Sequence, residues 1–61
     1  MYLVQRNNKT IAVKADLESA MADFAIEVFY ANQYIHANQY PHTWLKVIDE
    51  ISGKVEAYWA G

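Results

Sequence analysis

Apolar residues recur through the middle of this chain in steps of three and four: Leu17, Ala20, Met21, Phe24, Val28, Ala31 and Ile35. That spacing lines one side of an α-helix. Asp16 stands where an N-cap is needed, and Glu18 adds a carboxylate where the helix dipole favours one. Pro41 cannot continue a helix, and its ring biases Tyr40 toward extended backbone. The pattern predicts one helix over about 16–38, more than a third of a chain of 61 residues. Everything else must fit into two short flanks.

Both flanks read as β-hairpins. Tyr2-Leu3-Val4-Gln5-Arg6 and Thr10-Ile11-Ala12-Val13-Lys14 are rich in β-branched and aromatic residues, with Asn7-Asn8 between them. Asparagine tolerates positive φ and so suits a two-residue turn. That turn sets Val4 opposite Ile11 and Tyr2 opposite Val13 on one side, which is expected to be the core side. Leu3 with Ala12, and Gln5 with Thr10, fall on the other. The second hairpin spans 43–60 around Ser52-Gly53. A two-residue loop there would oppose Asp49 and Glu56, two like charges. A loop over Glu50 to Gly53 instead pairs Asp49 with Lys54, Ile48 with Val55 and Trp44 with Trp59, and is preferred.

The order strand, strand, helix, strand, strand, with a right-handed crossover, places the third strand beside the first. The expected fold is α+β: a two-layer ββαββ arrangement with a four-stranded antiparallel sheet of order 2-1-3-4 and one long helix on one face. All 61 residues are read as one small domain with hairpin 2–14, helix 16–38 and hairpin 43–60.

Composition adds a tension. The chain is 54% hydrophobic and has no cysteine, so neither disulfides, thiol catalysis nor cysteine-ligated zinc is available. A chain this short buries only about 60% of the surface its unfolded form exposes, and domains of this size often need a staple. The net charge of −2 argues against a dedicated nucleic-acid binder, which normally carries a basic excess. No apolar run approaches the roughly 18 residues of a membrane span, and residues 1–6 lack a signal-peptide pattern. A cytoplasmic location with no membrane association is the expectation.

Residues that could carry chemistry are sparse. Ala31-Asn32-Gln33-Tyr34-Ile35-His36 is followed by Ala37-Asn38-Gln39-Tyr40-Pro41-His42, identical at five of six positions. Six residues advance a helix by about 600°, so the copies cannot form one recognition stripe. A local duplication at the helix end explains the repeat; a Tyr/His/Asn-rich recognition loop is the functional alternative. His36 and His42 are six apart, whereas a ligand pair on one helix face needs three or four. Ser19 and Ser52 lack a nucleophile elbow and are explained by the first helical turn and the hairpin turn. Asp49 and Glu50 alternate in direction on a strand and form no acid–base dyad. Two glycines cannot build a phosphate loop. No catalytic residue, metal site or cofactor is expected.

Two surfaces remain. The helix carries only acids, Asp16, Glu18, Asp23 and Glu27, which read as a solvated flank with dipole matching rather than a mimic of nucleic acid. Opposite its core stripe lie Ala22, Ile26, Phe29, Tyr30, Gln33 and Ala37, with Tyr34 nearby. A helix apolar on both sides is normally covered on both, and a large exposed patch marks an interface. Ala22, Ile26, Phe29, Tyr30, Gln33 and Tyr34 are therefore the candidate interface residues, with helix-to-helix dimerisation the specific expectation. The alternative is a sheet surface that binds nucleic acid: Tyr2, Trp44, Tyr58 and Trp59 could stack bases while Lys14, Lys46 and Lys54 meet phosphates.

In size and element order the chain resembles the small inhibitor or adaptor proteins encoded by phages and other mobile elements. That resemblance implies a non-catalytic protein acting by contact with a partner protein. The reading is thus a homo-oligomeric interaction module, with the partner a second copy, another protein, or both.

Overall fold

The computed structural model describes residues 1–34 and 43–61. Strand β1 (Tyr2–Arg6) turns through Asn7-Asn8 into β2 (Lys9–Lys14). Helix α1 (Leu17–Tyr34) follows, and β3 (Trp44–Asp49) and β4 (Val55–Ala60) form the second hairpin. The sheet is antiparallel with order β2-β1-β3-β4, and the helix packs across β2, β1 and β3 on one face. This is the expected α+β architecture. The part of the predicted helix beyond Tyr34, Ile35 of the core stripe, Ala37, both histidines and most of the repeat lie outside the described residues.

The helix begins as its sequence demands. The Ser19 backbone N–H donates to Asp16 Oδ1 at 2.7 Å, and the Ser19 hydroxyl donates to Oδ2 at 3.2 Å. The backbone bond to Ser19 above all holds the Asp16 carboxyl below its usual value. Leu17, Ala20, Phe24, Val28 and Ala31 turn inward as expected, while Met21 sits at the margin of the stripe and is exposed. Alanine at positions 20 and 31 lets the helix backbone lie close to the sheet. Beneath Ala20, Val4 and Val47 stand directly opposite one another on the two central strands. Val4, Leu45 and Val47 are the largest fully buried side chains among the described residues.

Both hairpins depart from the expected register, and in the same way. Near the first turn the pairing is as predicted, Arg6 with Lys9 and Gln5 with Thr10. Ile11 is then an extra residue, so Val4 pairs with Ala12, Leu3 with Val13 and Tyr2 with Lys14. A bulge leaves two consecutive side chains leaning to one side. Ile11 and Ala12 accordingly both pack toward the core, and Lys14 turns inward to reach Asp23 at 3.2 Å. Val13, expected in the core, is carried to the opposite, open face. Between the strands only Asn7 takes positive φ, at 54°. The turn is thus not the type I′ form, which needs it at both central positions.

The preferred loop over 50–53 is present, with Asp49 N–H donating to Lys54 O at 2.9 Å and Ile48 paired with Val55. Asp49 Oδ1 accepts from the backbone N–H of Ile51 at 3.0 Å and of Ser52 at 3.4 Å, and Gly53 takes φ +75°. The bond from Ile51, first among several, lowers the Asp49 carboxyl. Beyond Val55 the pairing shifts: Val47 pairs with Ala57 and Trp44 with Ala60, not with Trp59. In the unshifted register Glu56 would oppose buried Val47, where a carboxylate loses its hydration. The bulge puts Ala57 there instead, turns Trp59 to the helix side and sends Tyr58 outward. Ile51 lies in the turn, as the preferred loop requires, and is 89% exposed.

Two measurements check this account. Leu45→Ala, which empties space at the centre of the sheet, should cost about 2–5 kcal/mol in denaturant unfolding, whereas Ile51→Ala should stay within about 0.5 kcal/mol. The Asp16 cap stabilises the folded state fully above the unfolded carboxyl value of 3.8, and that stabilisation is lost as pH falls through the lower folded value. Asp16→Ala should therefore lower the melting temperature at neutral pH, and the deficit should shrink in acid below that value.

Candidate functional site

The outward side of α1 is where the sequence leaves side chains that the sheet cannot take. At 100° per residue, the direction opposite Ala20, Phe24 and Ala31 passes among Ala22, Ile26, Phe29 and Gln33. The structure places all of these at the surface, together with Ala25 and Tyr30. Ile26 is 54%, Phe29 64% and Tyr30 46% exposed. The Phe29 and Tyr30 rings meet edge to face, with centroids 5.8 Å apart and planes at 72°. Tyr34 closes the helix at its C-terminal end.

Two ion pairs fix how this face is presented. Lys14 Nζ lies 3.2 Å from Asp23 Oδ2, and Arg6 donates from an Nη to Glu27 Oε2 at 3.4 Å. These side chains remain about a third exposed, so each pair contributes on the order of 0–1 kcal/mol. Their larger effect is positional. They tie one flank of the helix to β1 and β2 and match two of its four acids with strand cations. A third acid, Asp16, is used in the cap. The acids of the helix are thus largely absorbed by local structure. Between this flank and the strands lies a cleft of about 180 Å³ lined by Val4, Ile11, Ala12, Asp23, Ile26 and Glu27.

The sheet face away from the helix is the second surface. Register places Leu3, Gln5, Val13, Trp44, Lys46, Ile48, Val55 and Tyr58 on it. Trp44 and Tyr58 stack with centroids 6.5 Å apart and planes at 27°, and Lys46 Nζ stands 4.8 Å from the Trp44 ring centroid. Trp44 is held at the start of its strand by Asn7: its N–H donates to Asn7 Oδ1 at 3.1 Å, and its carbonyl accepts from the Asn7 N–H at 2.9 Å. The other residues considered for base stacking and phosphate contact are elsewhere. Tyr2 packs against the core under the helix, Trp59 faces the helix side, Lys14 is paired with Asp23, and Lys54 sits at the hairpin turn 3.8 Å from Glu56.

Sequence reasoning located the helix face but put Val13 in the core rather than on the open sheet face, because a bulge leaves no period-2 signature to read. It also passed over Ala25, whose small size gave no signal of its own.

The remaining polar candidates have local duties. The Ser19 hydroxyl is in the helix cap, and Ser52 Oγ accepts from the Lys54 N–H at 3.2 Å inside the turn. Among the described residues no group of three or more His, Asp or Glu side chains is arranged to hold a metal ion. No helix among them is long and apolar enough to cross a membrane. No family model matches the chain, and no curated protein or solved structure matches it significantly.

Proposed function

We propose that this chain is a small non-catalytic protein–protein interaction module. It works as a homodimer joined through the outward face of α1, and acts as an inhibitor or adaptor on a partner protein. The observation that carries this reading is the exposure of Ile26, Phe29 and Tyr30 as one contiguous patch. A chain with so small a core gains most by covering such a patch with protein, and a second copy is the partner always at hand. Burying an aromatic anchor in a packed interface is also the commonest source of strong binding free energy.

A second reading draws on the Trp44–Tyr58 stack with Lys46 beside it, on a face to which register assigns no carboxylate. Such a platform accepts a planar base, and stacking is worth about 1–3 kcal/mol per base. Against it stands the presence of only one cation, Lys46, among the described residues that register places on that face, because phosphate contacts supply most of the affinity in such complexes.

Light scattering on a size-exclusion column tests the first reading. The chain should elute with twice its 7.0 kDa mass. Ile26→Asp should return it to a folded monomer, whereas Leu17→Asp, on the core side, should unfold it. Equal outcomes for the two variants would show the helix faces to be wrongly assigned. For the second reading, a fluorescently labelled single-stranded oligonucleotide is titrated at several salt concentrations. Binding that weakens steeply with salt and is lost in Trp44→Ala would favour the sheet surface; we expect no salt-dependent binding.

A further inference from the structure

We infer that Asn7, a turn residue by sequence, is the positioning residue of the Trp44–Tyr58–Lys46 platform, because its side chain supplies the ladder bond that the turn takes from its backbone. Antiparallel partners exchange two backbone bonds at every second pair. Between β1 and β3 that series can be followed from both ends. At one end the Glu50 N–H donates to Met1 O at 3.0 Å, and at the other the Asn7 N–H donates to Trp44 O at 2.9 Å. Counting in twos from Met1 with Glu50 passes through Leu3 with Ile48 and Gln5 with Lys46, and arrives at Asn7 with Trp44. Asn7 thus stands where a further ladder residue belongs, one step past the end of β1.

A regular ladder residue would also offer its own carbonyl to the Trp44 N–H. At Asn7 a φ of 54° takes the backbone out of the extended conformation and into the hairpin turn. Its Oδ1 accepts the Trp44 N–H instead, at 3.1 Å. One residue therefore both turns the strand and continues its pairing. Few residue types can do both. Glycine takes positive φ at no steric cost and is the ordinary choice for such a position, but it brings no acceptor. Aspartate tolerates that backbone, and its carboxylate oxygen accepts the same N–H.

The bond matters to the open sheet face because little else locates Trp44. Register sets Ala60 opposite it on β4, which offers no bulk to lean against, and on the β1 side the Asn7 side chain is drawn into the ladder. The indole is placed by its own backbone, held by Asn7, and by its contacts with Tyr58, 6.5 Å away between centroids, and Lys46, whose Nζ is 4.8 Å from the ring. The preceding residue is gripped from the other side, where Thr43 O accepts the Gly61 N–H at 3.0 Å. The start of β3 is thus fastened to both neighbours, and the fastening toward β1 includes a side chain. The first hairpin contributes no ring to the platform, yet its turn sets where the platform begins.

Amide hydrogen exchange followed by NMR on the folded chain tests this role. Glycine suits the turn, so Asn7→Gly keeps the fold. In that variant the Trp44 amide should exchange about tenfold faster than in the native chain, as expected for the loss of one hydrogen bond. The Lys46 and Ile48 amides of the same ladder should keep their native rates. The Lys46 ε-methylene protons, shifted upfield by the Trp44 ring beside them, should move toward their random-coil positions. Asn7→Asp should leave both readouts near native. A native Trp44 rate in Asn7→Gly overturns the inference, and so does Asn7→Asp behaving like Asn7→Gly. Equal acceleration of the Lys46 and Ile48 amides overturns it as well, because Asn7 would then support the whole sheet and not the position of Trp44. An unmoved Lys46 methylene signal beside a faster Trp44 amide would separate the ladder bond from the platform and overturn the positioning role.

Discussion

The fold closes on one contact: Val4 and Val47, opposed on the two central strands, with Ala20 above them. Branched side chains suit this position because they are stiff and fill the pleat. Alanine suits the helix because anything larger would lift it off the sheet. Around that point the layers are held by small increments. Leu45 and Ala31 extend the burial, Phe24 and Leu17 flank it, and this inward stripe sets the rotation of the helix, with the two ion pairs from β1 and β2 lying along one flank. Once that rotation is fixed, Ile26, Phe29 and Tyr30 must face away from the sheet. The exposed surface is thus a consequence of the core, not a separate feature.

This coupling explains what the sequence made legible. Leu17, Ala20, Phe24, Val28 and Ala31 share a helical period, so both the inward and outward sides of α1 could be read directly, and Asp16 announced the start. Element order and crossover handedness were enough for the sheet order. Register was legible only near the turns. Asn7-Asn8 and the Asp49–Lys54 pairing are local, and the strand positions next to them came out as expected. The bulges at Ile11 and Glu56 set what stands opposite the buried positions of the neighbouring strand, Ala12 at Val4 and Ala57 at Val47. A strand read by alternation alone carries no trace of either, which is why Val13 was expected inside and Tyr58 was not tied to Trp44.

Charge is distributed by layer. The acids lie on the helix, around the second hairpin turn and, at Glu56, in β4, while the described residues that register places on the open sheet face are Lys46 and otherwise apolar or neutral side chains. Arg6 and Lys14 pair with helix acids. The same arrangement that neutralises the flank of the helix also leaves the two faces of the molecule chemically unlike, one aliphatic and aromatic on a helix, the other an aromatic platform with a single cation.

The bulges have a bearing that goes beyond register. β2 and β4 are the edges of the sheet, and both carry one. An edge strand with unbroken pairing groups is a template onto which further chains can add, and exposed neighbours such as Val13, Val55 and Tyr58 would make that template adhesive. An irregular edge interrupts the ladder at the point where the next strand would have to continue it. The irregular outermost strands are therefore poor templates for a further strand, and the exposed apolar side chains are displayed on faces rather than along an edge that could be extended.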